Sequence, residues 1–70
     1  IGRVKRRVIV YELDSTDIKL DDKLFHNGKD TGAQIISIEG IMMMAMINVI
    51  FKEKRLQYEG GNAIPFKVKL

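Results

Sequence analysis

The sequence has no cysteine, no tryptophan, one proline and one histidine in 70 residues. Without cysteine, neither a disulfide nor a thiolate metal site can hold the chain together, which mildly favours a reducing compartment. The lone histidine, His26, stands beside Asn27-Gly28 with no sequence neighbour to complete a metal site or a triad, so it reads as a turn residue. Aromatics are only 7% of the chain. Tyr11, Phe25, Phe51, Tyr58 and Phe66 do not alternate with basic residues on one strand, as base-stacking surfaces require. The glycines at 28, 32 and 40 fit neither the dinucleotide fingerprint nor the P-loop. Asp14, Asp17, Asp21 and Asp22 lack the alternating spacing and the bidentate glutamate of a calcium loop, and read as solvated carboxylates. No charged leader precedes an apolar core and cleavage site, so the chain does not read as a secretory precursor.

What is present is one dominant apolar stretch. Ile41 to Phe51 has a single polar member, Asn48, and no other segment matches it. Its 11 residues fall short of the about 20 that a membrane-spanning helix needs. As a strand it carries Ile41, Met43, Ala45, Ile47, Val49 and Phe51 on one face and Met42, Met44, Met46 and Ile50 on the other. Such a strand is expected at the centre of the fold, covered on each side. The rival reading is a Met-rich helix over residues 41–56, forming an interaction module, because Met, Ala, Lys and Glu favour helices. Its apolar residues would wrap all round, a burial that a 70-residue domain cannot easily supply. Ile47, Val49, Ile50 and Phe51 also favour the strand.

The remaining segments read as strands and turns. Residues 3–13 form a first strand, with Val4, Val8 and Val10 on one face and Ile9, Tyr11 and Leu13 on the other. Asp14-Ser15-Thr16-Asp17 is a turn sequence, followed by an apolar pair, Ile18 and Leu20, suited to capping a barrel end. Asn27-Gly28 is a strong hairpin signal, joining Leu24-Phe25 to the segment after Asp30. Residues 31–38 give another strand, with Ile36 and Ile38 on one side, Ile35 and Ser37 on the other, and a bulge or a close backbone approach expected at Gly32 near its start. Lys52-Glu53-Lys54-Arg55 is where the central strand leaves the core. Leu56 and Tyr58 alternate with polar residues, and Gly60-Gly61-Asn62 is a turn. Ile64, Phe66, Val68 and Leu70 alternate as a half-buried strand, with Pro65 at a strand start or an edge. The expected fold is all-β, one domain over residues 1–70, a small antiparallel six-stranded barrel or sandwich.

The net charge is +3 and the basic residues are lopsided toward the start, at Arg3, Lys5, Arg6 and Arg7. This cluster is either a solvated strand end or a contact for phosphate or carboxylate groups, and it is the one candidate site; no catalytic constellation and no metal-ligand spacing is visible. The basic balance also admits a small barrel that binds RNA or DNA, as in translation proteins.

With the elements in order, the chain resembles the C-terminal β-barrel domain of the glycine cleavage T-protein (aminomethyltransferase) superfamily, including its YgfZ-like folate-binding branch. Lys5-Arg6-Arg7-Val8, then Val10 and Leu13-Asp14, resembles the family's Lys-x-Arg-Leu strand and Leu-Asp turn. Gly28-Lys29-Asp30-Thr31-Gly32-Ala33-Gln34-Ile35-Ile36-Ser37 resembles its Gly-Lys-x-x-Gly-x-Ile-x-Ser hairpin. The segment to Met46-Ile47 and Val49 resembles the following apolar strand, and Ile64-Pro65-Phe66-Lys67-Val68 the closing one. The Lys-Gly-Cys-Tyr-x-Gly-Gln-Glu motif of the YgfZ-like branch lies upstream in such proteins and is absent, which leaves the branch open. The resemblance implies a C-terminal piece of a longer cytoplasmic or mitochondrial-matrix protein. That protein would bind tetrahydrofolate in preceding domains, act in one-carbon metabolism or iron–sulfur cluster assembly, and use this piece as a buttress without cofactor or catalytic residue of its own. Arg3, Lys5, Arg6 and Arg7 are then the contact toward the preceding domains or the acidic tail of folate, whose carboxylates suit arginine geometry.

Overall fold

The computed structural model describes residues 5–66. Its strands are β1 (Arg6–Leu13), β2 (Phe25–His26), β3 (Lys29–Asp30), β4 (Gln34–Glu39), β5 (Met42–Asn48), β6 (Leu56–Tyr58) and β7 (Gly61–Pro65), with a 3-10 turn at Val49–Phe51. All pair antiparallel in one sheet, in the order β3-β2-β6-β7-β1-β5-β4. The sheet curls into a half-barrel. The all-β expectation holds, with seven strands in place of six, because the Asn27-Gly28 hairpin forms a two-residue strand on each side. Asn27 and Gly28 both have positive φ, 51° and 81°, as a type I′ turn requires. Gly40, at φ 57°, opens the two-residue turn between β4 and β5.

The methionine-rich stretch is extended, which disposes of the helical reading. β5 lies between β1 and β4, pairing from Arg6↔Asn48 to Glu12↔Met42 on one side and from Gln34↔Met46 to Glu39↔Met42 on the other. The expectation of cover on both faces is corrected. Met43, Ala45 and Ile47 are buried in the curl with Tyr11, Leu13, Leu24, Ile35, Leu56, Tyr58 and Ala63. Met44, on the opposite face, is 40% exposed. The described strands form a single layer, which covers one face of its central strand. An antiparallel sheet tolerates that arrangement where a parallel one does not.

Two further registers differ from expectation. In β4 the bulge falls between Ile35 and Ser37, not at Gly32, where no atom comes within 4 Å of a Cβ either; Gly32 serves a left-handed turn at φ 71° before the strand. The extra residue puts Ile35 and Ile38 together on the core side and leaves Ile36 46% exposed. In β7, Leu13↔Ala63 pairing turns Ala63 inward, so Ile64 and Phe66 face outward at 50% and 47% exposure. The alternation there marks an apolar face, but that face is the outer one. Val68 and Leu70, like Arg3 and Val4, lie outside the described residues. Pro65 ends β7, beyond the last residue that β6 pairs, so no ladder bond needs its missing N–H. Of the expected capping pair, Ile18 packs on the core and Leu20 stays 60% exposed.

Tyr11 is fully buried at the centre of the core, and its hydroxyl has no hydrogen-bond partner among the described residues. Burial pushes its pKa up to about 12. The unfolded chain ionises Tyr11 near pH 10, the folded one only near 12, so its stabilising contribution is complete below pH 10 and disappears as pH rises through 12. At about 1.4 kcal/mol per pH unit the loss is of order 2–3 kcal/mol. Tyr11→Phe is expected to equal or exceed the parent in stability at pH 7, since it deletes an unsatisfied buried hydroxyl. It also flattens the alkaline decline, as denaturant midpoints from pH 8 to 12 will show. A variant that is less stable at pH 7 and keeps the decline contradicts this assignment.

Candidate functional site

β1 starts where β5 ends, so the basic start of the chain meets the basic segment after β5. Val49 N–H donates to the Lys5 carbonyl at 2.9 Å, and Arg6 and Arg7 pair with Asn48 and Ile47. The Val49–Phe51 turn, capped by the Asn48 side chain accepting from Ile50 N–H at 3.1 Å, then directs Lys52, Lys54 and Arg55 along the same end of the sheet. The β2–β3 hairpin closes on this end as well. His26 Nδ1 lies 3.1 Å from the Arg55 carbonyl, its ring stands edge-on to Phe51 at 5.8 Å, and its strand partner is Lys29. With Nδ1 protonated, His26 donates to Arg55 and its Nε2 accepts from Asn27 Nδ2 at 3.4 Å. His26 therefore locks the hairpin onto the β5–β6 connection, and it does so as the last residue of β2, beside the Asn27-Gly28 turn and not within it.

The result is a basic rim. Lys5, Arg6 and Arg7 come from β1 and the residue before it, Lys29 from the hairpin, and Lys52, Lys54 and Arg55 from the β5–β6 connection. All seven side chains are exposed. One carboxylate, Glu53, lies among them; the nearby Asp30 points to Lys23, at 3.8 Å. Of the four candidate residues read from the sequence, Lys5, Arg6 and Arg7 belong to the rim and Arg3 lies outside the described residues. The later four cations were visible as a charged run and a hairpin lysine. The antiparallel pairing of β1 with β5 brings the charged run to the first three, and the contacts of His26 with Arg55 and Phe51 bring the hairpin lysine.

The opposite end is acidic. Glu12 and Glu39 flank Met42 there, and Asp17, Asp22 and Glu59 line a shallow cleft with Lys19 and Gly60. Its best-organised part is structural. Asp14 accepts from the Asn62 backbone N–H at 2.8 Å and from the Asn62 amide at 3.1 Å, and these two bonds hold its carboxyl below the usual range. The Tyr58 hydroxyl donates to the Ser15 carbonyl at 2.6 Å and accepts from the Ser15 N–H at 3.2 Å. Burial is the main cause raising the pKa of Tyr58. Together these bonds tie the loop after β1 to the β6–β7 hairpin. No group of three His, Cys, Asp or Glu side chains able to hold a metal occurs among the described residues. No helix among them is long and apolar enough to cross a membrane.

The arrangement can bind anions at the rim and apolar surface at the outer face. It brings together no nucleophile, base and orienting group among the described residues. Comparison with known proteins found no matching family model, no matching curated protein and no matching solved structure.

Proposed function

We propose that the chain is the accessory β-barrel of a folate-binding, aminomethyltransferase-like protein and works as a buttress, with the basic rim as its contact toward an acidic surface of the folate-binding domains. The convergence of cations from three separate segments on one rim is the observation that carries this reading. Two of the three segments contain residues of the motifs that resemble the family, Lys5-Arg6-Arg7 and Lys29. Arginine and lysine on a rigid sheet end suit carboxylates, whether of a neighbouring domain or of the glutamyl tail of folate. The tetrahydrofolate and the one-carbon or iron–sulfur chemistry belong, on this reading, to the larger protein, in the cytoplasm or the mitochondrial matrix.

A nucleic-acid contact draws on the same rim but lacks a stacking platform. Tyr11 and Tyr58 are buried, Phe51 is half-buried against His26, and Phe66, the one strongly exposed aromatic among the described residues, lies on the outer face.

Reconstitution in trans tests the proposal. An aminomethyltransferase-like folate domain deprived of its own terminal barrel is titrated with the chain in a calorimeter. Micromolar binding is expected, weakened tenfold or more by Arg7→Glu with Arg55→Glu; absence of binding overturns the reading. Tetrahydrofolate alone is expected to show no micromolar affinity for the chain, and such affinity contradicts the buttress role. Tight binding of a single-stranded oligonucleotide, falling steeply with salt, transfers the rim to the nucleic-acid reading.

A further inference from the structure

The registers fix a lattice of side chains on the outer face. Along β1 the outward residues are Arg6, Val8, Val10 and Glu12; beside them on β5 stand Asn48, Met46, Met44 and Met42, each paired in that order. β7 adds Ile64, paired with Glu12, and the residue just after it adds Phe66, whose N–H donates to the Val10 carbonyl at 2.8 Å. The centre of this face is apolar, one end carries a cation, Arg6, and the other a carboxylate on β1, Glu12, with Glu39 of β4 beside it across Met42. Val8 is 46% exposed and the other central residues range from half-buried to exposed. A contiguous apolar patch of this kind is often a contact site.

The charge pattern selects an occupant. Ile9, paired with Ala45, lies midway between Arg6 and Glu12. A two-fold axis in the plane of the face, crossing the strands at that row, lays a second copy on the first with strands reversed. It sets Arg6 against Glu12 of the second copy, Val8 against Val10, and Met46 against Met44, in both directions at once. The face is thus complementary to itself in charge and in apolar content, as an isologous interface requires. We propose that this chain forms a two-fold dimer by face-to-face packing of the outer sheet surfaces, about 10 Å apart as sheets stack.

The size of the face sets the strength. Three strands about 4.8 Å apart and about six residues long give roughly 300 Å² per copy in projection. That is below the size of stable specific interfaces, so the dimer is weak and transient, with a dissociation constant toward the millimolar end of the micromolar-to-millimolar range. Met42, Met44 and Met46 have flexible thioether side chains that adapt to such a contact without a rigid fit.

The test is sedimentation equilibrium of the chain and three variants, each checked for native circular dichroism. The parent is expected to rise from the 8.0 kDa monomer toward twice that mass with concentration. Arg6→Glu and Glu12→Arg each set like charges together and lower association at least tenfold. An equimolar mixture of those two variants restores it, because both charged positions of the first are then acidic, both of the second are basic, and the two meet at each end of the interface. Met44→Arg, at the centre, abolishes association irrespective of the charges. A parent that stays monomeric at about 1 mM assigns the face to a different partner and overturns the proposal. Association that ignores the reversals, or a mixture that fails to recover, overturns it equally. Arg6 belongs to the basic rim as well as to this face, whereas Glu12 and Met44 lie outside the rim, so Glu12→Arg and Met44→Arg are the variants that separate loss of the dimer from loss of rim binding.

Discussion

Ile47→Ala is expected to cost about 2–5 kcal/mol, while Met44→Ala, three residues earlier on the same strand, changes stability by no more than about 0.5 kcal/mol. Ile47 is fully buried inside the curl and its truncation leaves a cavity walled by rigid neighbours. Met44 points the other way and is already in contact with water. A chain of this length has stability at the lower end of the usual 5–15 kcal/mol, so the Ile47 variant leaves little margin and a visible unfolded fraction at 25 °C. Urea denaturation at low protein concentration, where the monomer prevails, measures both. Equal costs at the two positions mean that the outer methionines are covered and that the one-sided core is wrong.

The contrast between Ile47 and Met44 also shows what the residues disclose and what they withhold. β-branched content identifies β1, alternation with polar residues identifies β6, an apolar run too all-round for a surface helix identifies β5, and Asn27-Gly28 identifies its hairpin, because these signals are local. Which face of a strand meets the core is a property of the register, and register is set by partners far away in the chain. Ile64 and Phe66 illustrate the point, since their alternation with polar residues is equally consistent with facing in or out until Leu13 pairs with Ala63. The bulge at Ile36 has no signature at all: three successive residues, Ile35, Ile36 and Ser37, carry no glycine to mark it. The basic rim was half legible. Arg6 and Arg7 announce themselves as a run, whereas Lys52, Lys54 and Arg55 join them only through the hydrogen-bonded meeting of Lys5 with Val49. Charge complementarity on the outer face depended on the same register and could not be read before it.

Gly60→Ala is expected to be among the most damaging single substitutions outside the core, at about 1–3 kcal/mol. A Cβ at Gly60 runs into the Asp17 backbone carbonyl oxygen, and it also lies 3.0 Å from the Asp17 Cβ and 3.1 Å from its carbonyl carbon. The obstacle is backbone, so no side-chain rotation relieves it; the loop after β1 must move away from the β6–β7 hairpin. That movement pulls directly on the bonds from Ser15 to Tyr58 and from Asp14 to Asn62, which join the same two segments. Gly28→Ala is the natural comparison. Nothing lies within 4 Å of a Cβ there, so its cost is confined to a left-handed residue, about 1 kcal/mol. The decisive readout is therefore twofold: thermal denaturation of both variants, and amide exchange at Ser15 and Asn62. Gly60→Ala should lower the midpoint further and accelerate exchange at both amides, while Gly28→Ala leaves those amides protected. A Gly60 variant as stable as Gly28→Ala, with protection intact, means that the two segments are not held as closely as the Gly60–Asp17 contact requires.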